Sequence, residues 1–278
     1  MLQIIRGLHR HVSEASYAQL HRGIPPGGPQ DRFSFRLANR LLGNADDAGS
    51  IEFTLAPARI RFLSTCHIVV GGAPCEIEVD GHRESEWTVI QVVAGAEMTI
   101  RLHQTGCRVY LCVAGGLDQD LGFVGDSIGS EVGRTRVAKR NGWEPKMGTV
   151  RVLPGPEYEE SVALELVKQS WKVATQSSGM GLRLLGPALK LKSFDILSAP
   201  VQDGTIQATK DGLLALLRQR GTLGGYPRIA SVIDCDVDRL SQFPPGSMLK
   251  LQWVSQAKAD EACRLQSQAL LNVTGEAM

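Results

Sequence analysis

The sequence predicts a mainly β protein built as two β-rich domains with a few helices. Three observations predict it. Between Ile68 and Val113, strand-length apolar runs alternate with turns at short spacing. The same texture restarts at Thr149 and continues to Trp253. Only three stretches carry the 3.6-residue periodicity of a helix. The 30 glycines and 13 prolines among 278 residues supply the turns that such a chain needs.

The first clear element is a helix over 31–43. Asp31 is its N-cap after the loop Pro25-Pro26-Gly27-Gly28-Pro29-Gln30, Phe33, Leu37 and Leu41 recur along one face, and Gly43-Asn44 is the stop. Strands follow. Ile68-Val69-Val70 ends at Gly71-Gly72, and the alternating Cys75-Glu76-Ile77-Glu78-Val79 turns at Asp80-Gly81, a hairpin signal. Runs over 87–93, 97–102 and 107–113 continue the series. The stretch 125–147 has weak periodicity and carries Arg134, Arg136, Lys139, Arg140 and Lys146, which reads as a long loop or an interdomain crossing. The second half offers strands at 149–153, 182–184, 205–207, 213–217, 228–233 and 248–253, and helices over 159–169 and 255–271. The expected domains are 1–145, with the helix 31–43, and 146–278, with the C-terminal helix.

Charge excludes some functions. Thirty basic against 29 acidic residues give a net charge of +1, without the basic excess of a nucleic-acid binder. The longest apolar stretch, 109–117, falls short of the roughly 20 residues of a membrane span. The N-terminus lacks the pattern of a signal peptide, so a cytoplasmic protein without nucleic-acid or membrane partners is expected. The six cysteines form no Cys-x-x-Cys pair and are expected as separate thiols, and no metal site is expected from the histidines.

No Walker A loop and no Gly-x-Ser-x-Gly motif is present. Lys146-Met147 lacks the preceding Ala-Met of a carrier lysine, so no covalent biotin is expected. Two loops combine glycines with donors: 220–228, with Gly224, Gly225, Tyr226 and Arg228, and 22–31, with Arg22 and Asp31. Glycine lets backbone approach a ligand closely, and arginine grips a carboxylate with two bonds.

In order along nearly the whole chain come Gly23 to Asp31, Leu37-Ala38-Asn39-Arg40-Leu41-Leu42-Gly43-Asn44, Ile51-Glu52-Phe53-Thr54-Leu55, Val113-Ala114-Gly115-Gly116-Leu117-Asp118, Arg151-Val152-Leu153-Pro154-Gly155-Pro156, Met180-Gly181-Leu182-Arg183-Leu184, Gly204-Thr205-Ile206-Gln207 and Gly224-Gly225-Tyr226-Pro227-Arg228. Together they resemble the allophanate hydrolase subunit 2 family. That family includes the C subunit of 5-oxoprolinase, the KipA proteins and part of the carboxyltransferase region of urea carboxylase. The resemblance implies two cyclophilin-like β-barrel domains. It also implies an ATP-coupled assembly that opens 5-oxoproline to glutamate. Its partners would be a sister subunit of allophanate hydrolase subunit 1 or KipI type and a third, lactam-hydrolase subunit. It leaves open whether ATP touches this chain. On that resemblance Asp31, Tyr226 and Glu52 are the catalytic candidates. Arg22, Asn39, Arg183, Gln207, Gly224, Gly225 and Arg228 are the candidates for binding a small carboxylate or amide substrate.

The scaffold motifs are kept more fully than the polar ones. Where the family carries Thr-x-Gln-Asp-x-Gly-Arg, this chain reads His11-Val12-Ser13-Glu14-Ala15-Ser16. Two alternatives therefore stand beside the lactam hydrolase: a KipA-like regulatory subunit, and a biotin-dependent carboxyltransferase component acting on urea or a similar amide. The two glycine loops are expected to converge on one pocket.

Overall fold

A computed structural model of the chain describes residues 2–118, 122–123 and 148–271. The stretch 125–147, read above as a long loop, and the Lys146-Met147 pair lie outside the described residues. Strands dominate, and four helices lie among the described residues: α1 (Arg32–Leu41), α2 (Glu160–Lys168), α3 (Asp234–Leu240) and α4 (Gln256–Leu271). The sequence reading lacks α3. Its seven residues follow directly on the strand Arg228–Val232 and are too short to display a repeat. No described helix is long and apolar enough to cross a membrane.

The described residues fall into two compact units. One takes those within Met1–Glu14, Asp31–Glu144 and Ser267–Met278, the other those within Ala15–Gln30 and Pro145–Gln266. A single cut at 145 does not separate them. The segment 15–30 belongs with the later half of the chain, and the end of α4 belongs with the earlier half.

The first unit holds two five-stranded antiparallel sheets. One runs in the order Leu2–Arg6, Ala58–Phe62, Glu97–Leu102, Cys75–Val79, His82–Glu84; the other runs His9–Val12, Ser50–Thr54, Arg108–Val113, Cys66–Gly72, Ile90–Val92. In Ala58–Phe62 the residues Ala58, Ile60 and Phe62 are buried while Arg59 and Arg61 stay outside on Glu97, the period-two pattern of a half-buried sheet. Ile60, Phe62 and Met98 of the first sheet share a core with Phe53, Val70 and Leu111 of the second. Each such side chain withdrawn from water contributes about 1.5–3 kcal/mol. The other face of the second sheet is covered by α1, through Phe35, Ala38 and Leu42 against Val69, Tyr110 and Cys112. Covered on both sides, Arg108–Val113 is buried at every residue, which is why its part from Val109 onward reads as an unbroken apolar run.

The second unit is a closed seven-stranded barrel: Thr149–Pro154, Arg228–Val232, Thr205–Thr209, Gly212–Leu216, Gly181–Leu185, Ser170–Val173 and Met248–Trp253, the last pairing parallel with the first. Its interior is filled by residues such as Val152, Leu184, Ile206, Leu213 and Leu251, together with Trp171, whose indole N–H donates to the Leu166 carbonyl at 3.0 Å. A two-stranded ribbon, Ala199–Pro200 paired with Leu223–Gly224, is the remaining strand pair of this unit.

The turn that ends the first barrel strand depends on a glycine. A Cβ at Gly155 would strike the Arg228 carbonyl oxygen and lie 2.8 Å from the Ala230 nitrogen, both of them backbone. Gly155→Ala is therefore expected to cost about 1–3 kcal/mol in urea unfolding, the range for overpacking. A change below about 0.5 kcal/mol, the level of a neutral surface substitution, would show that this strand end yields freely.

Candidate functional site

Register brings three of the predicted residues onto one row of the barrel. Arg183 faces Leu214, Leu214 faces Gln207, and Gln207 faces Arg228, across neighbouring strands. Their neighbours Leu182, Leu184, Ile206 and Ile229 fill the interior, so alternation turns the row outward. Arg183 sits two strands from Gln207, about 10 Å at the usual strand spacing. The register shifts between Ile206 and Gln207, a bulge that re-aims Arg228 on the strand opposite.

The ribbon lies over Gln207. A Cβ at Gly224 would collide with the Gln207 amide nitrogen and lie 3.1 Å from Val201 Cγ1, so a side chain here would have to displace the Gln207 amide. Gln207 is only 3% exposed, and its Nε2 donates to the Tyr226 carbonyl at 3.2 Å. The Gly225 carbonyl accepts from the Ile196 nitrogen at 3.1 Å. Tied at its backbone, Tyr226 leaves its side chain outside, and the residue is 44% exposed. The 3-10 turn Leu20–Arg22 ends in Gly23 at φ 78°, where a Cβ would stand 3.9 Å from Thr222 Oγ1, so exposed Arg22 lies beside the start of the ribbon.

Arg228 is a clamp. Its backbone N–H and Nε donate to Glu157 Oε2 at 2.9 and 2.8 Å, and one terminal nitrogen donates to Oε1 at 2.6 Å. The other terminal nitrogen donates to the Pro200 carbonyl at 2.7 Å. These bonds hold the Glu157 carboxyl below the usual glutamate range. They fasten the turn after Pro154 to the strand end and to the ribbon. Among the described residues, the side chains of Tyr226, Arg22 and Arg183 make no internal hydrogen bond and face solvent as donors.

The remaining candidates sit in the first unit. The Asp31 carboxylate caps α1, with Oδ1 accepting from the Ser34 nitrogen at 2.9 Å and Oδ2 from the Ser34 hydroxyl at 2.7 Å. Tyr110 links Asp31 to Glu52: its hydroxyl accepts from the Asp31 N–H at 2.8 Å and donates to Glu52 Oε2 at 2.7 Å. Burial, then the nearby carboxylates of Glu52 and Asp31, push the Tyr110 phenol well above its ordinary value, so it stays a neutral donor. Glu52 is buried, with Arg10 Nε 2.8 Å from Oε1. Asn39 is 0% exposed; its amide nitrogen donates to the Ala48 carbonyl at 3.0 Å, and its oxygen accepts from Asn44 at 2.9 Å. The sequence reading places Asn39 on a substrate; in the structure its enclosed amide staples the turn that follows α1. Asp31, for its part, belongs to a different unit from the Gly224–Arg228 loop and from Arg22.

Sequence reasoning misses the residues that hold the loops. Arg218 is 1% exposed and donates to Gln30, Asp203 and Asp238, and Arg220 adds a second cation at Asp203, 2.9 Å away. Glu157 is the other omission. Signals for both exist: an Arg-x-Arg run directly after an apolar strand, and an acid just past the Pro-Gly-Pro turn.

The carboxyltransferase domain family, subdomain A and B, matches residues 22–127 and 121–253 of this chain. The chain is 31% identical over 277 residues to the C subunit of 5-oxoprolinase from Escherichia coli, covering 88% of this chain and 89% of that protein. A crystal structure of TTHA0988 superposes with a TM-score of 0.79 at 27% identity, over 91% of this chain and 55% of that one. Urea carboxylase of Kluyveromyces lactis shares the fold, with a TM-score of 0.86 at 21% identity, over 98% of this chain and 29% of that one. The chain thus spans little more than half of the first of these solved chains and under a third of the second.

Two outcomes follow from the ion pair and the cap. A carboxyl lowered in the folded state stabilises above its unfolded value, about 4.3 for glutamate, and loses that contribution as pH falls through the folded value. The difference in melting temperature between the natural chain and Glu157→Gln should therefore be largest near neutral pH and shrink below about pH 4. A gap that is constant with pH would assign the effect to packing. Asp31→Ala should cost about 1 kcal/mol in chemical unfolding while Asp31→Asn, itself a good cap, costs only a fraction of that. Equal losses in the two variants would mean that the charge, and not the cap, matters.

Proposed function

The chain belongs to the carboxyltransferase domain family, subdomain A and B, and from that premise we propose that it is a subunit of an ATP-dependent amide or lactam hydrolase of 5-oxoprolinase type. It works with a sister subunit of allophanate hydrolase subunit 1 or KipI type and a third, lactam-hydrolase subunit. The observation that carries this reading is the end-to-end match to a protein named as the C subunit of 5-oxoprolinase, whereas the urea carboxylase match takes in only 29% of its chain.

Opening 5-oxoproline to glutamate needs water to attack the lactam carbonyl, charge to collect on its oxygen, and the C–N bond to break with a proton delivered to nitrogen. Hydrogen-bond donors aimed at that oxygen lower the barrier. The exposed Tyr226 hydroxyl and the Arg22 and Arg183 guanidinia are donors of that kind, and a guanidinium also matches the substrate carboxylate. Gln207, Gly224, Gly225 and Arg228 hold the loop that presents Tyr226.

Neither the ribbon loop nor the start of α1 fits a nucleoside triphosphate. The glycines at 224–225 lead into a strand, not a helix N-terminus, and the start of α1 already carries the Asp31 carboxylate, which repels a phosphate. In this proposal ATP is bound by a partner subunit. One observation favours a second reading, a KipA-like regulatory subunit: the scaffold motifs are kept more fully than the polar ones, with His11-Val12-Ser13-Glu14-Ala15-Ser16 standing where the family carries Thr-x-Gln-Asp-x-Gly-Arg.

Reconstitution tests both. The chain alone should show no 5-oxoproline-dependent ATP turnover, and adding both partners should restore it. Tyr226→Phe and Arg22→Ala should fold normally yet lower turnover of the assembly at least tenfold, about 1.4 kcal/mol in the barrier. Turnover by the single chain would refute the subunit reading. Unchanged turnover in both variants would remove the site from the ribbon, and a stable complex in which this chain only inhibits its partner would establish the regulator.

A further inference from the structure

All six cysteines carry free thiols, and Cys66, Cys75, Cys107 and Cys112 lie in the first unit. Cys235 and Cys263 differ. Cys235 on α3 and Cys263 on α4 pack in one small apolar cluster with Ile233, Ala259 and Ala262. Gln266, one turn beyond Cys263, donates to the Cys235 carbonyl at 3.3 Å and pins the two helices at this point. The Cys235 thiol feels that of Cys263, and an Arg151 terminal nitrogen lies 3.6 Å from Cys235 Sγ. Arg151 is itself held by Asp236, at 2.7 and 3.0 Å.

We infer that Cys235 and Cys263 are a site of reversible oxidation, closing into an intramolecular disulfide when a peroxide is present. This inference is independent of the proposed lactam chemistry. Exposure sets the order of events. Cys263 is half-buried and Cys235 buried, so a peroxide meets Cys263 first. The Cys263 sulfur attacks one peroxide oxygen; an S–O bond forms, the O–O bond breaks, and with hydrogen peroxide water leaves, giving a sulfenic acid. Cys235 Sγ then attacks Cys263 Sγ. The S–S bond forms, the S–O bond breaks, and the departing hydroxide takes the Cys235 proton as a second water. Two thiols and one hydrogen peroxide give one disulfide and two waters, the thiols oxidised and the peroxide reduced. Burial, then the neighbouring Cys263 thiol and Asp236, push the Cys235 thiol up, so it stays protonated until an electrophilic sulfur stands beside it. Arg151 is the cation placed to stabilise the thiolate as it attacks.

The test uses the full chain. It is exposed to hydrogen peroxide, blocked with N-ethylmaleimide, digested without reductant and mapped by mass spectrometry. The expected product is a peptide pair joining Cys235 to Cys263, lighter by two hydrogens and separated by dithiothreitol. Cys66→Ser should give the same link as the natural chain, and Cys263→Ser should give none. The oxidised chain should also melt at a higher temperature than the reduced chain, because the cross-link restricts the unfolded state. Recovery of both thiols as maleimide adducts, of Cys263 as sulfinic acid beside unmodified Cys235, or of a link between two chains would each overturn the inference.

Discussion

The guanidinium of Arg218 is the charge on which the second unit is arranged. It is buried, and a buried cation is tolerated only where acceptors surround it. Nε donates to the Gln30 carbonyl, and the two terminal nitrogens reach Asp203 at 3.2 Å and Asp238 at 2.7 Å, while the Arg218 backbone N–H donates to the Gln30 side chain. One side chain thereby ties the end of the segment 15–30, the residue that precedes Gly204, and α3. Gln266 of α4 binds the second oxygen of Asp238 at 3.0 Å. With Arg220 also on Asp203, two cations meet two carboxylates. Removing one member of such a group leaves an uncompensated buried charge, at about 3–5 kcal/mol. The loops around the barrel are therefore set from below, and their tips need carry no bonds of their own.

That division of labour explains how a glycine-rich loop can still present a side chain. Gly224 lets the ribbon descend onto Gln207, and Gln207 answers with a bond to the Tyr226 carbonyl. Arg228 closes the loop at its far end through Glu157 and Pro200. Backbone on both sides of Tyr226 is held while its ring is not, which is what a binding residue on a rigid β scaffold requires. Arg228 reads from sequence as a ligand donor, and each of its three guanidinium nitrogens donates a bond that holds this shape.

The sequence displays the parts of the fold that depend on local periodicity. The α1 cap at Asp31, the stop at Gly43 and the hairpin at Asp80-Gly81 stand where the residues place them. It does not display the early strands Leu2–Arg6 and His9–Val12, which are short and carry Arg6, His9, Arg10 and His11 among their apolar residues. Nor does it display which unit the segment 15–30 joins, because Gln30 and Arg218 are 188 positions apart and only the closed barrel brings them together. For the site, glycine and arginine clustering finds the ribbon loop, and register finds the row of Arg183, Gln207 and Arg228. Glu157, which turns Arg228 into a clamp, is marked only by its place after the Pro-Gly-Pro turn, and 71 positions separate it from Arg228.

The two carboxylates of the first unit show where proton transfer has to come from. A carboxylate acts as a base when a lone pair faces the substrate. Each oxygen of Asp31 accepts from Ser34, and Glu52 gives one oxygen to Arg10 and the other to Tyr110. The Tyr110 hydroxyl joins the two, so these acids seat α1 on the second sheet: the helix begins at a backbone N–H that donates to that hydroxyl. Their charge is invested in packing. The solvent-facing candidates Tyr226, Arg22 and Arg183 are the reverse in character, a phenol and guanidinia that donate. A surface of donors can hold a carboxylate and steady an oxyanion, but it cannot take a proton from water. On the proposed lactam chemistry, the acceptor of that proton has to be a group other than Asp31 and Glu52, whose carboxylates the fold has committed to seating α1.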